Sequence, residues 1–249
     1  MDAGGETGSW DDFLGGRVKL YQTQSGYRAT SDAVLLAAAA YPKNNDRILD
    51  VGCGTGAVSL CLHYRAPQTF ITGIDIQDEM VALMEKNIAF NKKSDFIRVI
   101  KANVNEKRND IPHNTFDWVV TNPPFMPEDQ VSPNALKDKA HRENDCPLEL
   151  WIRDCLKFLK PEGYFAMINR ADRLPEILSI LYPLLGKIET TPVFTKQNRP
   201  AKRVIVTGRK NSKAPAVLNK GIVLNDENGN RTFTARALMR DGAGIRDFL

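Results

Sequence analysis

The sequence predicts an α/β fold: a doubly wound, mostly parallel seven-stranded sheet with helices on both faces. Three observations lead there. Short apolar strand-like runs alternate with helical stretches from residue 31 to residue 207, the pattern that buries a parallel sheet between two helical layers. The first strand-like run passes directly into Asp50-Val51-Gly52-Cys53-Gly54-Thr55-Gly56, a turn whose glycines permit tight backbone geometry between strand and helix. The polar residues that stand out, Asp50, Asp75, Asn103 and Asn122, all fall where a strand-like run ends. Open α/β sheets bind their ligands outside the carboxyl ends of the strands, so one mouth should hold them all.

Residues 1–16 are Gly-rich and acidic and read as a flexible lead-in. Ser31-Asp32 offers an N-cap to an apolar helix over 33–40, which Tyr41-Pro42 ends. Residues 47–51 are the first buried strand and 57–64 the helix after the glycine turn. Residues 70–74 make the second strand, ending at Asp75, and 78–90 a helix with Val81, Met84 and Ile88 at helical spacing. Strands follow at 96–100, ending near Asn103, and at 116–121. The latter must stop at Asn122-Pro123-Pro124-Phe125, because consecutive prolines cannot donate to a sheet ladder.

Beyond a polar loop at 128–145, Leu148, Trp151, Ile152, Cys155 and Leu159 mark one helix face. A turn at 160–163 leads to a fifth strand at 164–169, and 174–185 is a helix interrupted at Pro183. Residues 187–194 and 202–207 pair as closing strands around a basic loop, and residues 211–249 form a short extension packed on the main domain.

A chain of 249 residues, 42% apolar and 26% charged, suits one globular domain with a modest extension. No apolar run approaches the ~20 residues of a membrane-spanning helix, and the opening residues lack the apolar core of a secretory signal. Cys53, Cys61, Cys146 and Cys155 show no metal or disulfide spacing, so they read as reduced packing residues of a cytoplasmic protein with no metal site. His63, His113 and His141 read as packing or surface residues. Net charge is +4, but residues 196–249 carry 12 Lys and Arg against 4 Asp and Glu. A basic end on a mildly acidic body is the footprint of a nucleic-acid ligand, with Lys196, Arg199, Lys202 and Arg203 as candidate phosphate contacts.

The glycine turn and Asp75, 19 residues past Gly56, read as a site for an adenosine-containing cofactor whose ribose hydroxyls the carboxylate accepts. Gly52-x-Gly54-x-x-Ala57 also satisfies the dinucleotide pattern, so a nicotinamide enzyme is a competing reading. Asp50 at the mouth of the turn would repel a pyrophosphate and welcome a cationic cofactor. The stiff Asn122–Phe125 turn presents a carboxamide, a proline carbonyl and an aromatic face, which together suit a planar ring bearing an amino group.

Asp-x-Gly-x-Gly-x-Gly after the first strand, an acid after the second and Asn-Pro-Pro-Phe after the fourth resemble the Rossmann-like class I S-adenosylmethionine-dependent methyltransferases, in their amino-group methylating branch. The likeness covers roughly residues 20–210, which makes 17–210 the methyltransferase domain. Gln22-Thr23-Gln24-Ser25-Gly26-Tyr27-Arg28 with Ser31–Ala37, the strand at 202–206 and the basic tail are similar to the tRNA adenine-N6 methyltransferases that act in the anticodon loop of a valine tRNA.

The resemblance implies that Gly52, Gly54 and Gly56 pass the methionine part of S-adenosyl-L-methionine, Asp75 holds its ribose and Asn103, where many relatives carry Asp, lies near its adenine. Asp32 is implied to help close that pocket. Asn122 and Pro123 are implied to accept the hydrogens of the target amine and Phe125 to stack on its base, with tRNA as partner. Ribosomal guanine-N2 methylation, protein glutamine methylation, DNA adenine methylation and a catalytically silent RNA-binding protein remain open as alternatives.

Overall fold

The computed structural model describes residues 8–24, 28–106, 111–123 and 147–249. Its central sheet runs β5 (Ile97–Lys101), β4 (Phe70–Asp75), β3 (Arg47–Val51), β6 (Phe116–Thr121), β7 (Leu159–Arg170), β9 (Arg203–Lys210), β8 (Leu185–Lys196). The first five are mutually parallel, and β9 lies antiparallel between β7 and β8. These are the seven expected strands. Two further strands were not expected: β10 (Val217–Leu218) and β11 (Ile222–Asn225), which add in parallel to the outer edge of β8. At two and four residues they are too short to show an alternation of their own, and pairing with β8 supplies what sequence pattern does not.

Alternate residues of the strands feed two apolar layers. Ile48, Trp118, Val120, Ala166 and Ile168 face α1 (Ser31–Ala39), α2 (Ala57–Arg65), α3 (Asp78–Phe90) and the C-terminal residues. Leu49, Val51, Val119, Phe165 and Met167 face α4 (Leu148–Phe158) and α5 (Leu174–Leu181). Burial on both faces is why these strands read as continuous apolar runs. The second helix of that layer stops before Pro183, shorter than its sequence pattern suggested.

The expected flexible lead-in over residues 1–16 is corrected from Gly8 onward; residues 1–7 lie outside the described residues. Residues Gly8–Phe13 form β1, which pairs antiparallel with β2 (Val18–Thr23) across a turn at Leu14–Gly16. Leu14 is buried, and the Trp10 ring packs 4.0 Å from that of Phe90 on α3. Composition alone suggested flexibility, whereas docking of this hairpin onto α3 supplies the ordering contacts.

α1 is almost wholly buried, and its termini explain its length. The Thr30 hydroxyl caps it by accepting from the Asp32 N–H at 3.4 Å, and Ala40 turns extended ahead of Tyr41-Pro42. The terminal carbonyls, which no helical N–H reaches, accept from Arg65 at the end of α2: its guanidinium donates to the carbonyls of Ala37 and of Ala40 (3.0 Å), and its Nε to that of Gly242 (3.1 Å). One side chain thereby joins two helices and the C-terminal segment. Arg65→Ala would leave these part-buried carbonyls unpaired, and a loss of about 3 kcal/mol is expected, read as a fall of about 6–12 °C in Tm.

Candidate active site

Strand order reverses beside β3, which has β4 on one side and β6 on the other. The register aligns Asp50 with Gly73 and Val120, and Val51 with Ile74 and Thr121. Gly52, Asp75 and Asn122 therefore leave the sheet side by side at its carboxyl edge, with adjacent strands about 4.8 Å apart. The four positions expected at one mouth are there, Asn103 following β5 two residues past Lys101.

The glycine turn is held by β4. The N–H groups of Gly52 and Cys53 both donate to the Ile74 carbonyl, at 2.9 and 3.0 Å. The Gly54 N–H donates to Asp75 Oδ2 and the Gln77 N–H to Oδ1, each at 3.0 Å. Asp75 is thus oriented by two backbone donors, and each oxygen retains a second lone pair for a ribose hydroxyl. Gly52, Gly54 and Gly56 have φ of 69°, 52° and 85°, in the left-handed region that disfavours side chains. At Gly56 an added Cβ would also meet Met84 Cγ at 2.8 Å.

Asn122 follows the last residue of β6, and that end is tied to β3. The Thr121 hydroxyl donates to the Val51 carbonyl at 2.9 Å and accepts from the Trp151 indole N–H at 3.0 Å. The same indole lies where a Cβ on Gly52 would sit, 3.2 Å away. Trp151 of α4 thereby braces the glycine turn and the Asn122 strand end together. Asn122 is half-buried with its side-chain oxygen shielded from solvent, and Pro123 is buried. Phe125 lies outside the described residues.

Residues 29–191 match the methyltransferase small domain family model. The chain belongs to that family. Among curated relatives, the tRNA1(Val) (adenine(37)-N6)-methyltransferase of Porphyromonas gingivalis is 30% identical over 203 residues, covering 78% of this chain and 79% of that protein. The protein of the same name in Dyadobacter fermentans is 31% identical over 151 residues, covering 61% and 62%. Among solved structures, a predicted O-methyltransferase from Agrobacterium tumefaciens superposes with a TM-score of 0.71 at 22% identity, covering 86% of this chain and 98% of that one, a likeness of fold.

The methyltransferase takes S-adenosyl-L-methionine as its methyl donor, and its residues suit that molecule. Asp50 is buried; its Oδ2 accepts from the Ser59 hydroxyl at 2.6 Å, while Oδ1 has no partner. Burial pushes its pKa up to about 7, the Ser59 hydrogen bonds opposing and the Asp75 charge adding to the rise. An orphaned carboxyl oxygen is costly unless something cationic meets it, and the ammonium of the cofactor is such a group. A pyrophosphate would make the same site worse, which removes the nicotinamide reading. Burial, with Asp50 and Asp75 nearby, also holds the Cys53 thiol protonated.

Two of the candidate site residues are engaged with each other. Arg203 was read as a phosphate contact and Asp32 as a closing residue of the cofactor pocket. The two form an ion pair, Nε to Oδ2 at 2.7 Å, which fastens the start of α1 to the start of β9. Arg203 is thus already engaged inside the protein. Asn103 is half-buried; its Oδ1 accepts from the Asn105 N–H at 3.0 Å in a local turn. His63 is buried on α2, and burial with Lys93 nearby lowers its pKa to about 4, so it stays neutral. His113 is an exposed loop residue and His141 lies outside the described residues. Cys53, Cys61 and Cys155 are buried free thiols.

The sequence reading missed Ser59, Trp151 and Asn87. Asn87 is fully buried on α3, donates to the carbonyls of Thr55 (2.9 Å) and Tyr21 (3.1 Å) and accepts from the Tyr21 N–H (2.7 Å). It clasps the glycine turn to β2. Its signal was an asparagine within the helix face of Met80, Leu83, Met84 and Ile88.

Lys196, Arg199 and Lys202 are exposed around the tip of the β8–β9 hairpin. Arg203 pairs in register with Arg170, three residues past the Met167 that aligns with Thr121. The tip therefore stands on the same edge of the sheet as the glycine turn and Asn122, and extends beyond them. Among the described residues no helix is long and apolar enough to cross a membrane, and no group of three His, Cys, Asp or Glu is placed to hold a metal.

Proposed function

We propose that this chain methylates the exocyclic N6 of an adenosine in the anticodon loop of a tRNA, in the cytoplasm where tRNA is modified. The observation that carries the proposal is the register of β3, β4 and β6, which brings the donor turn, Asp75 and Asn122 to one mouth. The choice of acceptor is supported by the names of the relatives, adenine-37 N6 methyltransferases of a valine tRNA.

S-adenosyl-L-methionine supplies a methyl group already activated by its sulfonium, so the protein's task is to position a weak nucleophile in line and exclude water. The exocyclic amine of adenine is weak because its lone pair is delocalised into the ring. The Asn122 side-chain oxygen and the Pro123 carbonyl accept its two hydrogens and favour the pyramidal amine. Phe125 stacks on the base, worth about 1–3 kcal/mol. Asp50 holds the cofactor ammonium, Asp75 the ribose hydroxyls and Asn103 the neighbourhood of the adenine. Lys196, Arg199 and Lys202 hold phosphates at the rim, and Arg203 keeps Asp32 and α1 in place. Anticodon-loop bases are unstacked at low cost, so the mouth requires no duplex opening.

Tritiated methyl transfer to total tRNA, ribosomal RNA, DNA and protein tests the proposal. Label is expected in tRNA, and nuclease mapping should place it on N6-methyladenosine in the anticodon loop. Label in ribosomal guanine or in protein glutamine would move the acceptor to those alternatives.

A further inference from the structure

A second basic surface lies away from the mouth. A cavity of about 280 Å³ is lined by Arg17, from the turn between β1 and β2, together with Phe233, Arg236, Ala237, Arg240 and Asp241. The latter belong to α6 (Phe233–Arg236) and the π-helical turn that continues it (Ala237–Asp241). Phe233 is 73% exposed, large for an aromatic side chain. Arg236 and Arg240 are exposed. Among the described residues neither these two nor Arg17 forms an ion pair, although Asp241 also lines the cavity. Arg17 is held in place by donating to the carbonyls of Leu14 (3.1 Å) and Arg240 (2.7 Å). Three guanidinium groups and one exposed ring thus line the same cavity, with Arg17 also over the Tyr64 ring at 6.0 Å and Arg236 donating to the Arg231 carbonyl at 2.8 Å.

The position of this helix gives the surface a direction. β11 ends with Asn225 paired to Lys196, and Asn225 donates to the Thr195 carbonyl at 2.8 Å, beside the basic hairpin tip. Thr232, the N-cap of α6, returns to Leu224 and Val223. The chain then descends to Gly242, which meets Tyr64 and accepts from Arg65 at the far end of α2, the edge of the sheet opposite the mouth. Phe233, Arg236 and Arg240 thus form a stripe leading from the hairpin tip down one side of the molecule, about 11 Å long at helical rise.

We propose that Phe233, Arg236, Arg240 and Arg17 dock the sugar–phosphate backbone of the tRNA stem whose loop enters the mouth. This rests on the tRNA reading above and extends it from the target loop to the body of the substrate. Charge complementarity commits the surface to nucleic acid: residues 196–249 hold 12 basic and 4 acidic side chains, and guanidinium groups bind phosphate oxygens bidentately. An A-form stem presents riboses along a wide, shallow minor groove, against which the exposed Phe233 ring can pack while the arginines take phosphates.

The test uses the full chain with Arg236→Glu and Arg240→Glu together and, separately, Phe233→Ala, with S-adenosyl-L-methionine affinity as the control for folding. Equilibrium binding is measured without methyl donor, on full-length tRNA and on a short single-stranded oligonucleotide carrying only the anticodon loop. The double variant is expected to weaken tRNA binding about tenfold or more and to flatten its salt dependence by about 1.5 in log–log slope, the share of two phosphates. Binding of the oligonucleotide should move less than about twofold, since the stem contact is missing from it. Phe233→Ala should weaken tRNA binding with the salt slope unchanged. Unaltered tRNA affinity in the double variant, or equal losses on tRNA and oligonucleotide, would overturn the docking surface. Failure of the adenine reading is seen separately, as absence of methyl transfer to tRNA by the unaltered chain.

Discussion

Asn122→Ala is expected to lower kcat for methyl transfer about a thousandfold, the loss found when a single preorganised hydrogen-bonding group is removed from a reacting centre. A thousandfold is about 4 kcal/mol of transition-state stabilisation. The size follows from the role proposed for this carboxamide: as the amine becomes nucleophilic its N–H groups become more acidic, and the acceptor would grip them more strongly than in the ground state. Affinity for S-adenosyl-L-methionine should stay within about twofold, because the contacts proposed for the methyl donor lie on the turn after β3 and on Asp75. The fold should tolerate the change, since the end of β6 is fastened through Thr121, Val51 and Trp151 rather than through Asn122 alone. Asn122→Asp retains an oxygen acceptor at the same place and should keep far more activity than the alanine variant. Rapid-quench single turnover separates chemistry from binding. Near-normal turnover of the alanine variant would remove Asn122 from the catalytic role.

Much of this is legible in the sequence alone, for identifiable physical reasons. Strands buried on both faces announce themselves as apolar runs, and their ends were marked by residues with few backbone options: glycines at 52, 54 and 56, and the double proline after Asn122. Those same residues line the mouth, which is why it could be assembled from sequence. What escaped depended on contacts between distant residues. The Asp32–Arg203 pair joins positions 171 apart, and nothing local in a basic hairpin says that one arginine is already engaged. Trp151 reads as a core residue of an amphipathic helix until the indole N–H is seen to reach Thr121. The β1 hairpin was misread because Gly and Asp dominate its composition, while the ordering comes from Trp10, Leu14 and the face of α3. Asn87 was passed over although a buried asparagine at a helix-face position demands partners.

Asp50→Asn is expected to change stability and cofactor affinity in ways that cross over with pH. In the folded protein the Asp50 carboxyl is pushed up to about 7 by burial, against 3.8 for the ordinary side chain. Between those pH values the folded state holds a proton that the unfolded chain has released, so the protein without cofactor loses stability as pH rises. The contribution is fully present below pH 3.8 and gone above about 7, a span worth about 4 kcal/mol. Asparagine cannot ionise, and its amide leaves about 1–3 kcal/mol of unpaired hydrogen-bonding capacity in a buried site. The variant should therefore melt a few degrees lower than the parent below about pH 4, close to it near pH 5, and a few degrees higher at pH 8. Cofactor binding runs the other way: losing the charged partner of the ammonium should weaken affinity about 10- to 100-fold at pH 8, the range of one charge-assisted hydrogen bond. In the parent the ammonium must displace the Asp50 proton below pH 7, so affinity should fall about tenfold per pH unit there and level off above. Titration calorimetry in buffers of different ionisation enthalpy counts that proton directly. Parallel pH profiles for parent and variant would show that some other group sets the cofactor's pH dependence.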